Sequence, residues 1–94
     1  MGLASYYGKR FHGHTTASGA RYDMNAFTCA HPHEPFGSRL KVTDLETGRS
    51  VLVTVTDRGP FAAGRVVDLS LAAARALGMV HRGVARVRVE RAAE

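Results

Sequence analysis

The sequence predicts a small, mainly β domain, a closed or nearly closed barrel of six short strands with one helix. Apolar and polar residues alternate with a period of two in short runs, and turn-forming glycine, proline and aspartate separate those runs. Only one stretch carries both a helix start and a helix stop. Six short strands within 94 residues are best protected by closing on one another, which leaves no unpaired edge.

The first strand is expected over Leu3–Tyr7, ending at Gly8. Lys9 to Gly19 is polar, glycine-containing and aperiodic, which reads as an exposed loop, and a loop rich in His, Thr and Gly suits function better than a core. Arg21 to Asn25 reads as a turn, with Asp23 accepting a local hydrogen bond. Asn25 to Ala30 is a second strand, and two prolines stiffen the loop from His31 to Gly37. Arg39 to Asp44 alternates cleanly, with Leu40 and Val42 inward. A hairpin turn follows, with Gly48 left-handed. The fourth strand, Val51 to Thr56, should pair antiparallel with the third. Its two faces are apolar or β-branched, so it belongs in a central position.

That strand halts at Asp57-Arg58-Gly59-Pro60, because Pro60 has no N–H to extend a ladder. A buried strand that delivers a carboxylate and a guanidinium to a stiff turn is a common mount for a site. The plainer reading is a carboxylate bonded to its own turn beside a solvated arginine. Arg65 to Asp68 is a fifth strand. Ser70 is a helix N-cap, Leu71 to Leu77 the helix, with Leu71, Ala74 and Leu77 inward, and Gly78 its stop. From Gly83 to Glu90, Ala85, Val87 and Val89 alternate with charged residues as a sixth strand.

Composition narrows the function. The apolar fraction of 45% suits a folded chain, and no apolar run approaches the ~20 residues of a membrane span. The net charge is +5 and the pI about 10.1. Both favour anionic partners, but the basic residues are scattered rather than gathered in a stripe, so nucleic acid is not the expected partner. Cys29 is the lone cysteine and reads as a small core residue. His12, His14, His31, His33 and His81 raise the question of zinc. The pairs spaced by two lack a third well-placed ligand, so no metal and no cofactor are expected.

Several motifs occur together: Gly2-Leu3-Ala4-Ser5-Tyr6-Tyr7-Gly8, Phe11-His12-Gly13, Thr16-Ala17-Ser18-Gly19, Tyr22-Asp23, Ala30-His31, Gly48-Arg49-Ser50, Asp57-Arg58-Gly59-Pro60-Phe61 and Val67-Asp68-Leu69-Ser70. Together, from Gly2 to about Glu90, they resemble the rare lipoprotein A (RlpA) family. The resemblance implies a six-stranded double-psi β-barrel with one short α-helix, forming one domain over residues 1–94. It also implies lytic transglycosylase activity on bacterial peptidoglycan glycan strands, in the periplasm or the outer-membrane-associated envelope. The implied state is a monomer, held at a membrane only through a lipid anchor that these residues lack.

Family roles carry over to His31 and Asp57 as catalytic residues. The family's glutamate position is Ala20, and an alanine cannot transfer a proton. Thr16, Arg58, Asp68, Tyr22 and Phe61 are the implied substrate contacts. Asp68 has a plainer reading as a cap near the helix start. The alternative reading of the whole chain is a non-catalytic glycan-binding or expansin-like wall-loosening module.

Overall fold

The barrel is built outward from the tightest hairpin. The computed structural model describes residues 1–92, so the last two residues of the expected 1–94 domain lie outside the described residues. Strand β3 (Arg39–Asp44) turns through Gly48, at φ 79°, into β4 (Ser50–Asp57). A side chain resists that left-handed angle and glycine does not. The two strands pair antiparallel, with Leu40 opposite Val53 and Val42 opposite Val51. Around this hairpin stand β1 (Gly2–Tyr6), β2 (Thr28–Ala30), β5 (Arg65–Leu69) and β6 (Ala85–Arg91).

The ring order is β1-β5-β2-β4-β3-β6, closed on itself. The β1/β5 and β2/β4 pairs are parallel and the others antiparallel. This is the expected double-psi β-barrel, mainly β with one helix. β4 is central, as its composition suggested, but its two faces are not equivalent. Val51, Val53 and Val55 are buried while Leu52 is 45% exposed, because the outer wall faces solvent.

Leu40, Val42, Val53, Val55, Val67, Leu69 and Val87 fill the barrel. The helix α1 (Leu71–Leu77) sets Ala73, Ala74 and Leu77 against them. Ser70 caps it, its Oγ accepting the N–H of Ala73 at 3.2 Å, and Gly78 ends it at φ 72°. Ser70→Ala is expected to cost about 1 kcal/mol, the usual loss of an N-cap. For a domain of this size that is a fall in Tm of about 4–8 °C, readable by calorimetry.

Besides shifts of one residue at the ends of other strands, four expectations change. The second strand begins at Thr28, because the Asp23 carboxylate accepts from Asn25 N–H at 2.9 Å and the Asp23 carbonyl from Ala26 N–H at 3.1 Å, holding that segment as a turn. The loop after β1 is not wholly irregular: Lys9–Phe11 forms a 3₁₀ turn, and Thr15 bridges to Arg21. The sixth strand begins at Ala85, since both Arg82 and Gly83 donate back to the Met79 carbonyl. Asp68 does not cap the helix; Ser70 does, while Asp68 bonds Ser5 and Arg65.

Candidate active site

The register brings two carboxylates to one end of the barrel. Ala30 of β2 faces Asp57 of β4 on one side and Asp68 of β5 on the other. Strands lie about 4.8 Å apart, so the two aspartates flank Ala30 across one short strand.

Asp57 is held from three directions. Its Oδ2 accepts the Tyr7 hydroxyl at 2.9 Å, and its Oδ1 accepts the N–H groups of Ala17 and Arg58, each at 2.9 Å. Gly59, at φ 110°, turns the chain immediately after it, an angle that glycine adopts freely. The Asp57 carboxyl is therefore oriented before any ligand arrives, and only one of its three contacts comes from its own turn. Burial first, then the hydrogen bond and charge of Asp57, push the Tyr7 hydroxyl far above the usual tyrosine range, so it remains a donor.

The Ala17 contact ties the Thr16–Ala20 segment to Asp57. Thr16 is buried; its N–H and Oγ1 both donate to the Ala20 carbonyl, each at 2.7 Å, and Ser18 N–H reaches the Thr56 carbonyl. Thr16 thus holds the loop closed. Ala20 is exposed on the loop that carries the Asp57 contact.

A pocket of about 200 Å³ opens beside Asp57, lined by Tyr7, Phe11, His14, Thr15, Thr16 and Tyr22. The Tyr7 ring packs on Phe11 at 5.8 Å and on Tyr22 at 5.1 Å between centroids. Tyr22 is only 4% exposed, and its hydroxyl accepts the N–H of Leu71 at the helix start, so it also supports the wall. A larger open hollow of about 590 Å³, lined by Met1, Leu3, Leu45 and Val84 among others, contains none of the sequence-predicted site residues.

His31 adjoins Asp57 through the backbone, its N–H reaching the Asp57 carbonyl at 3.2 Å. Its ring turns into its own loop, where Nδ1 accepts from the N–H of His33 and Glu34 at 3.3 and 3.1 Å. The neutral ring then carries its proton on Nε2. Burial, with His33 next, lowers its pKa from the ordinary value, and Arg58 adds to this against the opposing pull of Glu34. Arg58 donates to the His31 carbonyl at 3.3 Å and lies 4.0 Å over the Phe36 ring, a cation–π contact rather than full solvation.

Phe61 is 82% exposed and is not among the pocket residues. Asp68 accepts from both Ser5 and Arg65, a cluster that sequence spacing did not announce because β1 and β5 meet only in the barrel. Cys29 is 1% exposed, and burial, with the Asp68 charge, pushes its thiol up to about 12, so it is no nucleophile. A disulfide-exchange reagent is expected to label Cys29 no faster than the domain opens, as a hydrogen-exchange comparison checks.

The profile of the lytic transglycolase family matches residues 1–89. The chain is 54% identical over 89 residues to an endolytic peptidoglycan transglycosylase RlpA of Neisseria meningitidis serogroup B, covering 95% of this chain and 37% of that protein. It is 53% identical over 89 residues to the protein of the same name in Vibrio cholerae, covering 95% of this chain and 34% of that one. The chain thus spans about a third of the length of these curated relatives. Among solved structures, a Streptomyces papain inhibitor superposes with a TM-score of 0.71 at 26% identity, covering 94% of this chain and 87% of that one. A six-stranded barrel that mounts Asp57 beside an aromatic-lined pocket, with the family profile matching nearly its whole length, belongs to the lytic transglycolase family.

Proposed function

We propose that this domain, residues 1–94 acting as one unit, cleaves peptidoglycan glycan strands as an endolytic lytic transglycosylase. The observation that carries the reading is the Asp57 carboxyl, fixed by three donors at the wall of a pocket lined with aromatic rings. Aromatic faces stack on the apolar faces of sugars. A space of about 200 Å³ lies below the range of about 300 Å³ and more typical of whole ligands. It suits one ring of a longer chain, with the flanking sugars along the open surface.

The reaction consumes no water. The bond from the anomeric carbon to the leaving oxygen breaks, and that oxygen takes a proton. The same sugar's hydroxyl gives up a proton, and its oxygen closes an anhydro ring on the anomeric carbon. One proton is delivered and one withdrawn, so a single group can act first as acid and then as base. The Asp57 carboxylate faces the positive charge that develops at the anomeric carbon and stabilises it. Tyr7, Ala17 and Arg58 hold it there.

The implied setting is the bacterial envelope, in the periplasm, with the domain acting as a monomer. Purified sacculi incubated with the domain are expected to release anhydro-muropeptides, read by mass spectrometry. Ala20, which offers no proton, favours a second reading, a module that binds glycan without cutting it. Retention on sacculi with no released product would select that reading.

A further inference from the structure

The proposed reaction needs a second group, one that can hand over a proton and take one back. Besides Asp57, the pocket is lined by three side chains with a titratable atom: Tyr7, Tyr22 and His14. Tyr7 is committed as the donor to Asp57, and its proton is held far too tightly to transfer near neutral pH. The Tyr22 oxygen accepts the Leu71 N–H, and its burial also raises its pKa. His14 alone is free. Its main chain is anchored, its N–H donating to the Phe11 carbonyl at 3.0 Å and its carbonyl accepting from Tyr22 N–H at 2.7 Å. Its ring stands edge-on to Phe11, 5.9 Å between centroids. Neither ring nitrogen has a hydrogen-bond partner among the described residues, whereas the Nδ1 atoms of His12 and His31 each accept backbone N–H groups.

Resting on the reading above, we propose that His14 is a catalytic residue, the proton-transfer group that lines the same pocket as Asp57 in a chain whose residue 20 is alanine. The imidazolium gives its proton to the leaving oxygen as the anomeric bond breaks. The neutral ring then takes the proton from the sugar hydroxyl as that oxygen closes the anhydro ring. His14 ends in its starting state, and no electrons or water enter. Imidazole is suited to this double role because one ring donates a proton in its charged form and accepts one at a nitrogen lone pair in its neutral form.

The test measures turnover of purified peptidoglycan by the domain and three variants. His14→Gln is expected to lower kcat at least 100-fold, the size of a lost general acid–base group, with KM within a few-fold. Its thermal melt should not move, since the ring makes no hydrogen bond that folding needs. His14→Phe keeps the ring against Phe11 and is expected to be equally slow. His14→Ala is expected to regain turnover in added imidazole. Unchanged kcat in His14→Gln overturns the proposal, and so does full activity in His14→Phe, which would make the ring a stacking surface only. If the unaltered domain releases product and His14→Gln releases it as fast, this proposal fails while the functional reading stands. If the unaltered domain releases no anhydro product, the functional reading fails and this proposal with it.

Discussion

Ala20→Glu raises the release of anhydro-muropeptides from sacculi by about 100-fold or more, the usual contribution of a positioned general acid. The expectation follows from the loop. Thr16 clamps the Ala20 carbonyl, and Ala17 N–H is bonded to the Asp57 carboxylate, so residue 20 rides on a segment fixed to the site. Its exposed Cβ leaves room for a longer side chain. A glutamate there brings a second carboxyl towards the first. Repulsion between them, with partial desolvation by substrate, raises one of the two pKa values, which is what proton donation near neutral pH requires. In that background His14→Gln costs little, because the glutamate takes over the proton. Adding Asp57→Asn removes the gain, since the developing cation then has no anionic partner. An unaltered domain as active on sacculi as Ala20→Glu would refute this account.

The largest expected loss of stability lies far from the site. Asp44 ends β3 with no exposed surface. Burial disfavours its charge, but the Arg82 guanidinium and the Glu46 N–H at 2.9 Å outweigh that and hold its pKa below the ordinary carboxylate value. The same arginine reaches Glu46 at 2.8 Å. Asp44→Ala removes the acceptor of the Glu46 N–H and of one arm of the partly exposed Arg82 guanidinium, and is expected to cost about 1.5–3 kcal/mol, the usual loss of a hydrogen bond to a charged group. Denaturant titration reads it as a fall in midpoint. The pH dependence has a fixed sign. Because the folded pKa is depressed, the ion pair contributes fully above the unfolded value of about 3.9 and is lost as the pH falls through the lower, folded value. Asp44→Asn should therefore flatten the acid limb of the stability curve. An acid limb unchanged in Asp44→Asn would show that another carboxylate dominates it.

Much of this protein is legible in its sequence. Alternation placed Leu40 and Val42 inward, and placed Val53 and Val55 in a central strand, because the pleat of a strand enforces a period of two whatever surrounds it. Ser70 and Gly78 bounded the helix because capping is a local matter of one side chain and one backbone angle. The turn after Asp57 was equally local. Boundaries were less legible where a side chain competed with the ladder, as Asp23 does ahead of the short β2. Which face of β4 turns to solvent was not legible, because Leu52 is as apolar as the valines beside it and only the wall of the barrel leaves it exposed.

Local sequence is thus enough for the elements, their inward faces and the motifs that resemble the RlpA family. Each depends on neighbours a few residues apart. The tertiary structure alone decided which distant side chains meet. Closing the ring as β1-β5-β2-β4 set Tyr7 against Asp57, Ser5 against Asp68 and two aspartates on either side of Ala30. It also turned the His31 ring into its own loop and left the His14 ring free at the pocket wall. Those contacts span 50 and 63 residues for Tyr7–Asp57 and Ser5–Asp68. Spacing along a chain carries no information at that range, because strand register, not sequence distance, fixes which side chains lie about 5 Å apart.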